Sequence, residues 1–366
     1  MNGVQTYVRV GGFFARFFWH SWTGRGEFPT VYTTNTYRDA QDFLSPILGF
    51  HHTVVIHPER CPKTGPAIFC GNHLKLDDPF FVYHAVQLAT DWKHCPRLMS
   101  RDDFFAGTPL KSRVIDGDKL MEAVGTFLIS RGQITLSQLR PFVNLLKDGG
   151  SFVIFPGHTR SCAGVLMEYR GAFKEPGGVS FFMNQAQRSR PGNRVAAVPI
   201  LRTYNPVSRR SAMVFGESMF LEDAADRDAQ REFDYQLTTE MGRYVEVNVP
   251  QVLSAVLWLW CLRGMPEKTT VGEIRGTLSR IFAAIDHAYV DPEARTDLGG
   301  AVVRTLVFLE EREMLVRTGE SVTLNTEAIL SVPDLTTRYR HLNPVKYLAN
   351  QLIHLGDVVE AIQAET

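Results

Sequence analysis

The chain has 366 residues, 44% hydrophobic and 21% charged, with 39 basic residues against 39 acidic ones. That length exceeds a typical domain of ~100–150 residues, so at least two units are expected, with ample apolar material for their cores. Balanced charge argues against a dedicated nucleic-acid binder, and the absence of any apolar run of ~18 residues argues against a membrane-spanning helix.

The first unit expected, residues 1–45, is helical and dense in aromatics: Phe13-Phe14-Ala15-Arg16-Phe17-Phe18-Trp19-His20-Ser21-Trp22. Arg16 interrupts the apolar run and no small-residue cleavage site follows, so a signal peptide fits poorly. Aromatics beside Arg and His suit a helix lying in a membrane interface, and they equally suit a helix packed on the protein's own core. The five cysteines, Cys61, Cys70, Cys95, Cys162 and Cys261, form no CxxC pair. Neither a zinc ribbon nor a disulfide framework is indicated, and a reducing compartment fits best.

Residues 46–220 alternate short apolar runs with helical stretches. Thr53–Ile56, Ala67–Cys70, Ser151–Phe155 and Val195–Ile200 are short, β-branched or aromatic, and bounded by Gly, Pro or Asn, as buried strands are. Thr135–Lys147 has helical spacing and ends at Asp148-Gly149-Gly150, a glycine stop. Strands separated by helices predict an α/β fold with a central mixed sheet flanked by helices. Residues 221–366 are mainly helical in pattern, with one exception. Met314–Val316, Thr318-Gly319-Glu320 and Val322–Leu324 predict a hairpin, which after helices would make a winged-helix-like module. The longest apolar stretch, Val252 to Leu262, would span only about half a bilayer.

Three segments of the middle region carry residues suited to chemistry. In Gly71-Asn72-His73-Leu74-Lys75-Leu76-Asp77-Asp78, an imidazole directly follows a strand, at the edge where α/β folds build sites. His73 could take a proton from an attacking hydroxyl, and Asp78, five residues on, could receive its other ring N–H. Phe155-Pro156-Gly157-His158-Thr159-Arg160-Ser161 also follows a strand and offers turn amides, a guanidinium and two hydroxyls, an anion cradle. Gly125-Thr126-Phe127-Leu128-Ile129-Ser130-Arg131 is an apolar run that could bring a second cation to the same edge. Taken singly, each segment also reads as ordinary surface. A metal hydrolase using His73, Asp77 or Asp78, and His158 is the weakest alternative, because no ligand spacing supports it.

In their order and spacing the segments resemble the four blocks of the glycerol-3-phosphate and lysophosphatidate acyltransferase family, over roughly residues 45–220. His73 through Asp78 is similar to the first block, Gly125 through Arg131 to the second, and Phe155 through Ser161 to the third. Val198-Pro199-Ile200 is similar to the fourth, and Phe215-Gly216-Glu217 to the closing strand. The resemblance implies a glycerolipid acyltransferase fold with His73 as general base and Asp78 as its orienting partner. Arg131 and Arg160 would hold the acceptor phosphate, with Gly157, His158, Thr159 and Ser161 assisting, and Val198, Pro199 and Ile200 would line an acyl groove. The co-substrates implied are an acyl-CoA or acyl carrier protein thioester and a glycerolipid acceptor. No metal, other cofactor or nucleic acid is implied. A peripheral or monotopic position on the cytoplasmic face of a membrane is expected.

Two departures bear on the acceptor. Gly157-His158 stands where the third block usually has Glu-Gly, and Lys75 stands where the first usually has Ser. They leave open a non-phosphate lipid acceptor or a non-catalytic lipid-binding relative. Near the C-terminus, Leu342–Leu355 resembles the Tyr-Asn-His helix of large glycerol-3-phosphate acyltransferases. That would favour glycerol 3-phosphate, although an ordinary amphipathic helix explains the pattern equally well.

Overall fold

A computed structural model describes residues 3–23, 48–91, 95–101, 125–130, 135–157, 160–168, 178–190, 192–222, 226–333 and 339–366, with positions 41, 42, 45, 119, 121 and 122. Three of the expected site residues, Arg131, His158 and Thr159, lie outside the described residues.

The centre is a seven-stranded mixed sheet of order β1-β7-β6-β2-β5-β3-β4. Its strands are β1 (Thr53–Ile56), β2 (Ala67–Gly71), β3 (Arg97–Arg101), β4 (Thr126–Ile129), β5 (Ser151–Ile154), β6 (Ala196–Tyr204) and β7 (Ser211–Phe215). Strands β6, β2, β5, β3 and β4 pair in parallel, and β7 joins β6 antiparallel. The expected strands are therefore present, with β6 running four residues beyond Ile200.

Strand alternation divides the sheet's two faces. Ala67, Phe69, Val153, Val198, Ile200, Met213 and Phe215 point to one side, where α2 (Asp78–Ala89) covers them with Phe81, Val82 and Val86. Ile68, Cys70, Phe152, Ala197, Leu201 and Val214 point to the other. That side is covered by α3 (Leu136–Lys147), α4 (Val179–Ser189) and α5 (Arg227–Gly242). Each fully buried Phe or Leu here stabilises the fold by about 1.5–3 kcal/mol. The expected stop of α3 is realised by Gly149 and Gly150, whose amides bond to the Leu146 and Leu145 carbonyls at 3.1 and 2.8 Å. A capping box between Thr135 and Gln138 starts the helix.

The C-terminal region has its own core. It comprises α6 (Val249–Leu262), β8 (Lys268–Thr270), α7 (Val271–Ala284), α8 (Leu298–Glu310), β9 (Leu315–Thr318) and β10 (Ser321–Leu324). The hairpin of β9 and β10 is present as expected, and β8-β10-β9 forms a small antiparallel sheet. Three further helices close this core: α9 (Thr326–Leu330), α10 (Pro344–Ala349) and α11 (Gly356–Glu365). Helix α5 follows residue 221, yet its Phe233, Leu237 and Met241 belong to the sheet's core, not to this one.

At the N-terminus, α1 (Gly3–Thr23) buries Phe13 and Phe17 and exposes Val8, Trp19 and Trp22. Among the described residues no helix is long and apolar enough to cross a membrane.

Candidate functional site

Strands β2 and β5 are parallel neighbours, so the segments that follow them emerge side by side from the same sheet edge. Gly71 ends β2, and a Cβ there would lie 2.9 Å from the Phe155 ring. Glycine thus lets Phe155 come close enough to stack under His73, with ring centroids 4.5 Å apart. The two segments are also joined through backbone: the Ser161 amide donates to the His73 carbonyl at 2.7 Å. His73 and Arg160, separate in sequence, therefore share one edge.

Asp78 is the first residue of α2, where its negative charge suits the helix N-terminus. His73 Nδ1 lies 3.1 Å from Asp78 Oδ2, with the imidazole partly exposed and the carboxylate buried. The same Oδ2 accepts from the Leu74 and Lys75 amides at 2.7 and 2.6 Å. The other oxygen, Oδ1, accepts from Arg202 Nη1 at 2.8 Å. Burial would raise the Asp78 pKa, but the His73 hydrogen bond, the Arg202 charge and the Lys75 amide outweigh it and hold the carboxyl below its usual range.

Arg202 went unnoticed in the sequence. It sits in β6, buried, with Nη1 also 3.0 Å from Asp77 Oδ1 and its guanidinium carbon 3.4 Å from the Phe81 ring centroid. Ser211 Oγ accepts from its Nε at 3.3 Å. Asn72 continues the β2–β6 ladder past Gly71 with its side chain, donating to the Arg202 carbonyl at 2.9 Å and accepting from its amide at 2.8 Å. Lys75 lies 3.5 Å from Asp77 and 3.8 Å from the Tyr204 ring centroid. Burial and the Arg202 charge lower its pKa against the opposing pull of Asp77 and Asp78.

Just beyond the third segment lies a second buried carboxylate, Glu168, to which nothing in the sequence pointed. Glu168 Oε2 accepts from the Cys162 and Ala163 amides at 2.7 and 3.0 Å and from Ser161 Oγ at 3.1 Å. Ser161 Oγ in turn accepts from the Gly164 amide at 3.1 Å. The Ser161 hydroxyl, expected to face an acceptor phosphate, is instead buried and builds the loop that carries Arg160. Gly157 lies at the turn after β5, against Met167. The fourth block is also placed differently from expectation. Val198 and Ile200 are fully buried in the closed core with Phe69, Phe81 and Phe215, and Pro199 is buried between them. Their side chains support the sheet under the site and line no open groove among the described residues.

An imidazole paired with a buried carboxylate, where parallel strands end beside a cation-bearing turn, is the architecture of an α/β enzyme site. Residues 52–176 match the family model described as Acyltransferase, so this segment is an acyltransferase domain. Among solved structures the chain is similar to the crystal structure of the 1-acyl-sn-glycerophosphate (LPA) acyltransferase, PlsC, from Thermotoga maritima. The identity is 14% and the TM-score 0.35, covering 65% of this chain and 96% of that one. No curated protein matches it.

Proposed function

We propose that this acyltransferase moves a fatty acyl group from an acyl-CoA or acyl carrier protein thioester to a hydroxyl of a glycerol phosphate acceptor. The observation that carries the reading is the His73–Asp78 pair at 3.1 Å, with Asp78 held ionised by partners on both oxygens. With Nδ1–H donating to Asp78, Nε2 presents its lone pair to the acceptor. The acceptor O–H gives its proton to Nε2 as its oxygen bonds to the thioester carbonyl carbon. Collapse of the tetrahedral intermediate breaks the C–S bond, and the imidazolium returns the proton to the leaving thiolate. No acyl-enzyme is required. Arg160, with Arg131 from the second block, is assigned to the acceptor phosphate.

Two features favour a non-phosphate lipid acceptor as the second reading: Gly157 in place of the usual glutamate, and the inward-turned Ser161 hydroxyl. A panel of acceptors assayed with both donor types separates the two. For the mechanism, His73→Ala should lower kcat by about 10²–10⁴-fold while the circular dichroism spectrum stays that of the wild type. Turnover within about twofold of wild type in that variant refutes the general-base assignment.

A further inference from the structure

The C-terminal region reaches the site. On α10, Tyr347 donates its hydroxyl to the carbonyl of Leu74, the residue after His73, at 3.3 Å. One turn on, Asn350 Nδ2 donates to the carbonyl of Ala163 in the Arg160 loop at 2.8 Å. Gly164 has φ +90° and lies under the Tyr347 carbonyl, which a Cβ would strike. A third residue of the same stretch, His354, lies 3.2 Å through Nε2 from the Gly242 carbonyl at the end of α5. A cavity of about 10 Å³, the size of one water, marks where these parts meet, lined by Asn72, Leu74, Gly164, Arg202, Gln351 and His354.

We infer that Tyr347 and Asn350 are positioning residues for the transfer reaction, tying the His73 loop and the Arg160 loop to α10 and the 3-10 turn, Asn350–Leu352, that continues it. The inference rests on the acyl-transfer reading given above. The two loops already share the Ser161–His73 backbone bond. That bond joins the two loops at one point. Tyr347 and Asn350, three residues apart on this continuous helical stretch, add a second line of attachment and so fix the distance from the base to the phosphate-holding cation. Burial, with the charge of Asp78, pushes the Tyr347 phenol up, so its hydroxyl remains a donor throughout the working pH range.

The test uses the full chain and two readouts. Amide hydrogen exchange is followed in peptides covering 72–78 and 160–168, in wild type, in the double variant Tyr347→Phe/Asn350→Ala, and in Gln351→Ala. Gln351 belongs to the same helical stretch but accepts from Gln251 inside the C-terminal core at 2.9 Å, so its loss controls for general loosening. Faster exchange in both loops of the double variant, with the control near wild type, is expected. Unchanged exchange, or an equal rise in the control, overturns the inference whatever the activity.

Steady-state kinetics with palmitoyl-CoA and either glycerol 3-phosphate or lysophosphatidate supply the second readout. The double variant should lose about 10- to 100-fold in kcat, with the palmitoyl-CoA KM within about threefold. Full kcat in the double variant beside an inactive His73→Ala removes the brace and leaves the acyl-transfer reading standing. Activity retained by His73→Ala removes that reading instead, and the exchange data then decide the brace alone.

Discussion

Asp78 carries more of the site than its position beside a histidine suggests. Four groups converge on it: His73, two backbone amides and Arg202. Arg202 is the long-range member, 124 residues away, and its charge compensates a carboxylate that is almost wholly enclosed. Removing one partner of such a pair leaves an uncompensated buried charge, so Arg202→Met should destabilise the fold by about 3–5 kcal/mol. The sign with pH follows from the depressed carboxyl. Its contribution is present above the unfolded carboxylate pKa and is lost as pH falls through the lower folded value. Without the guanidinium, burial is less opposed and the folded pKa rises, so acid unfolding of Arg202→Met should begin at higher pH than in wild type. Arg202→Lys restores a charge but not the fork that spans Asp77, Asp78 and Ser211, and should recover only part of the loss. Coincident acid-unfolding curves for wild type and Arg202→Met, followed by far-ultraviolet circular dichroism, would exclude this role.

At the scale of elements, legibility followed the distance over which each signal acts. The His73 segment, the stop of α3 and the C-terminal hairpin could be read because their information is local: a strand end, two glycines, an alternating run. Arg202 and Glu168 could not, since each works through partners brought in by the fold. For Arg202 a trace existed, a lone charge where β6 continues past the apolar run that ends at Ile200. In helix α5 the buried apolar residues, Phe233, Leu237 and Met241, recur only every fourth position. That is one narrow stripe, enough to seal a sheet face. Val198 and Ile200 were misplaced for the opposite reason, since a buried strand residue looks the same whether it faces a core or a groove. Helix α1 buries Phe13 and Phe17 and exposes Trp19 and Trp22. Exposed tryptophans on a helix carrying Arg9 and Arg16 suit the headgroup layer of an anionic membrane. Trp19→Ser/Trp22→Ser should therefore reduce co-flotation with phosphatidylglycerol vesicles several-fold without changing thermal stability. Equal flotation of variant and wild type would assign the helix to protein packing alone.

Across the whole molecule, Leu166 packs against both the C-terminal core and one face of the sheet, and two half-buried histidines make the assembly sensitive to acid. His84, in α2 and stacked on Phe50 with centroids 4.6 Å apart, is lowered by burial to about 4. His354 is likewise lowered to about 4, by burial first and by His287, against the Gly242 hydrogen bond. Both imidazoles are neutral in the folded chain at pH values where the unfolded chain is already protonating, near 6.5. As pH falls from about 6.5 to about 4 the unfolded state therefore binds more protons, and stability declines. At pH 5 each histidine accounts for a loss of about 2 kcal/mol relative to pH 7, from a gap of roughly 1.5 pH units. Glu246 works in the opposite direction: burial raises it, so the folded state takes up its proton first and offsets part of the decline. The histidine contribution is isolated by comparing wild type with His84→Phe/His354→Leu in urea denaturation at pH 7 and pH 5. The variant should show a pH dependence flatter by about 4 kcal/mol, and parallel dependences would mean that neither imidazole is held neutral. Because His354 follows Asn350 by a single turn, the loss should be felt first where the C-terminal helical stretch meets the His73 and Arg160 loops. Exchange at residues 160–168 should then accelerate at pH 5 before the sheet itself loosens.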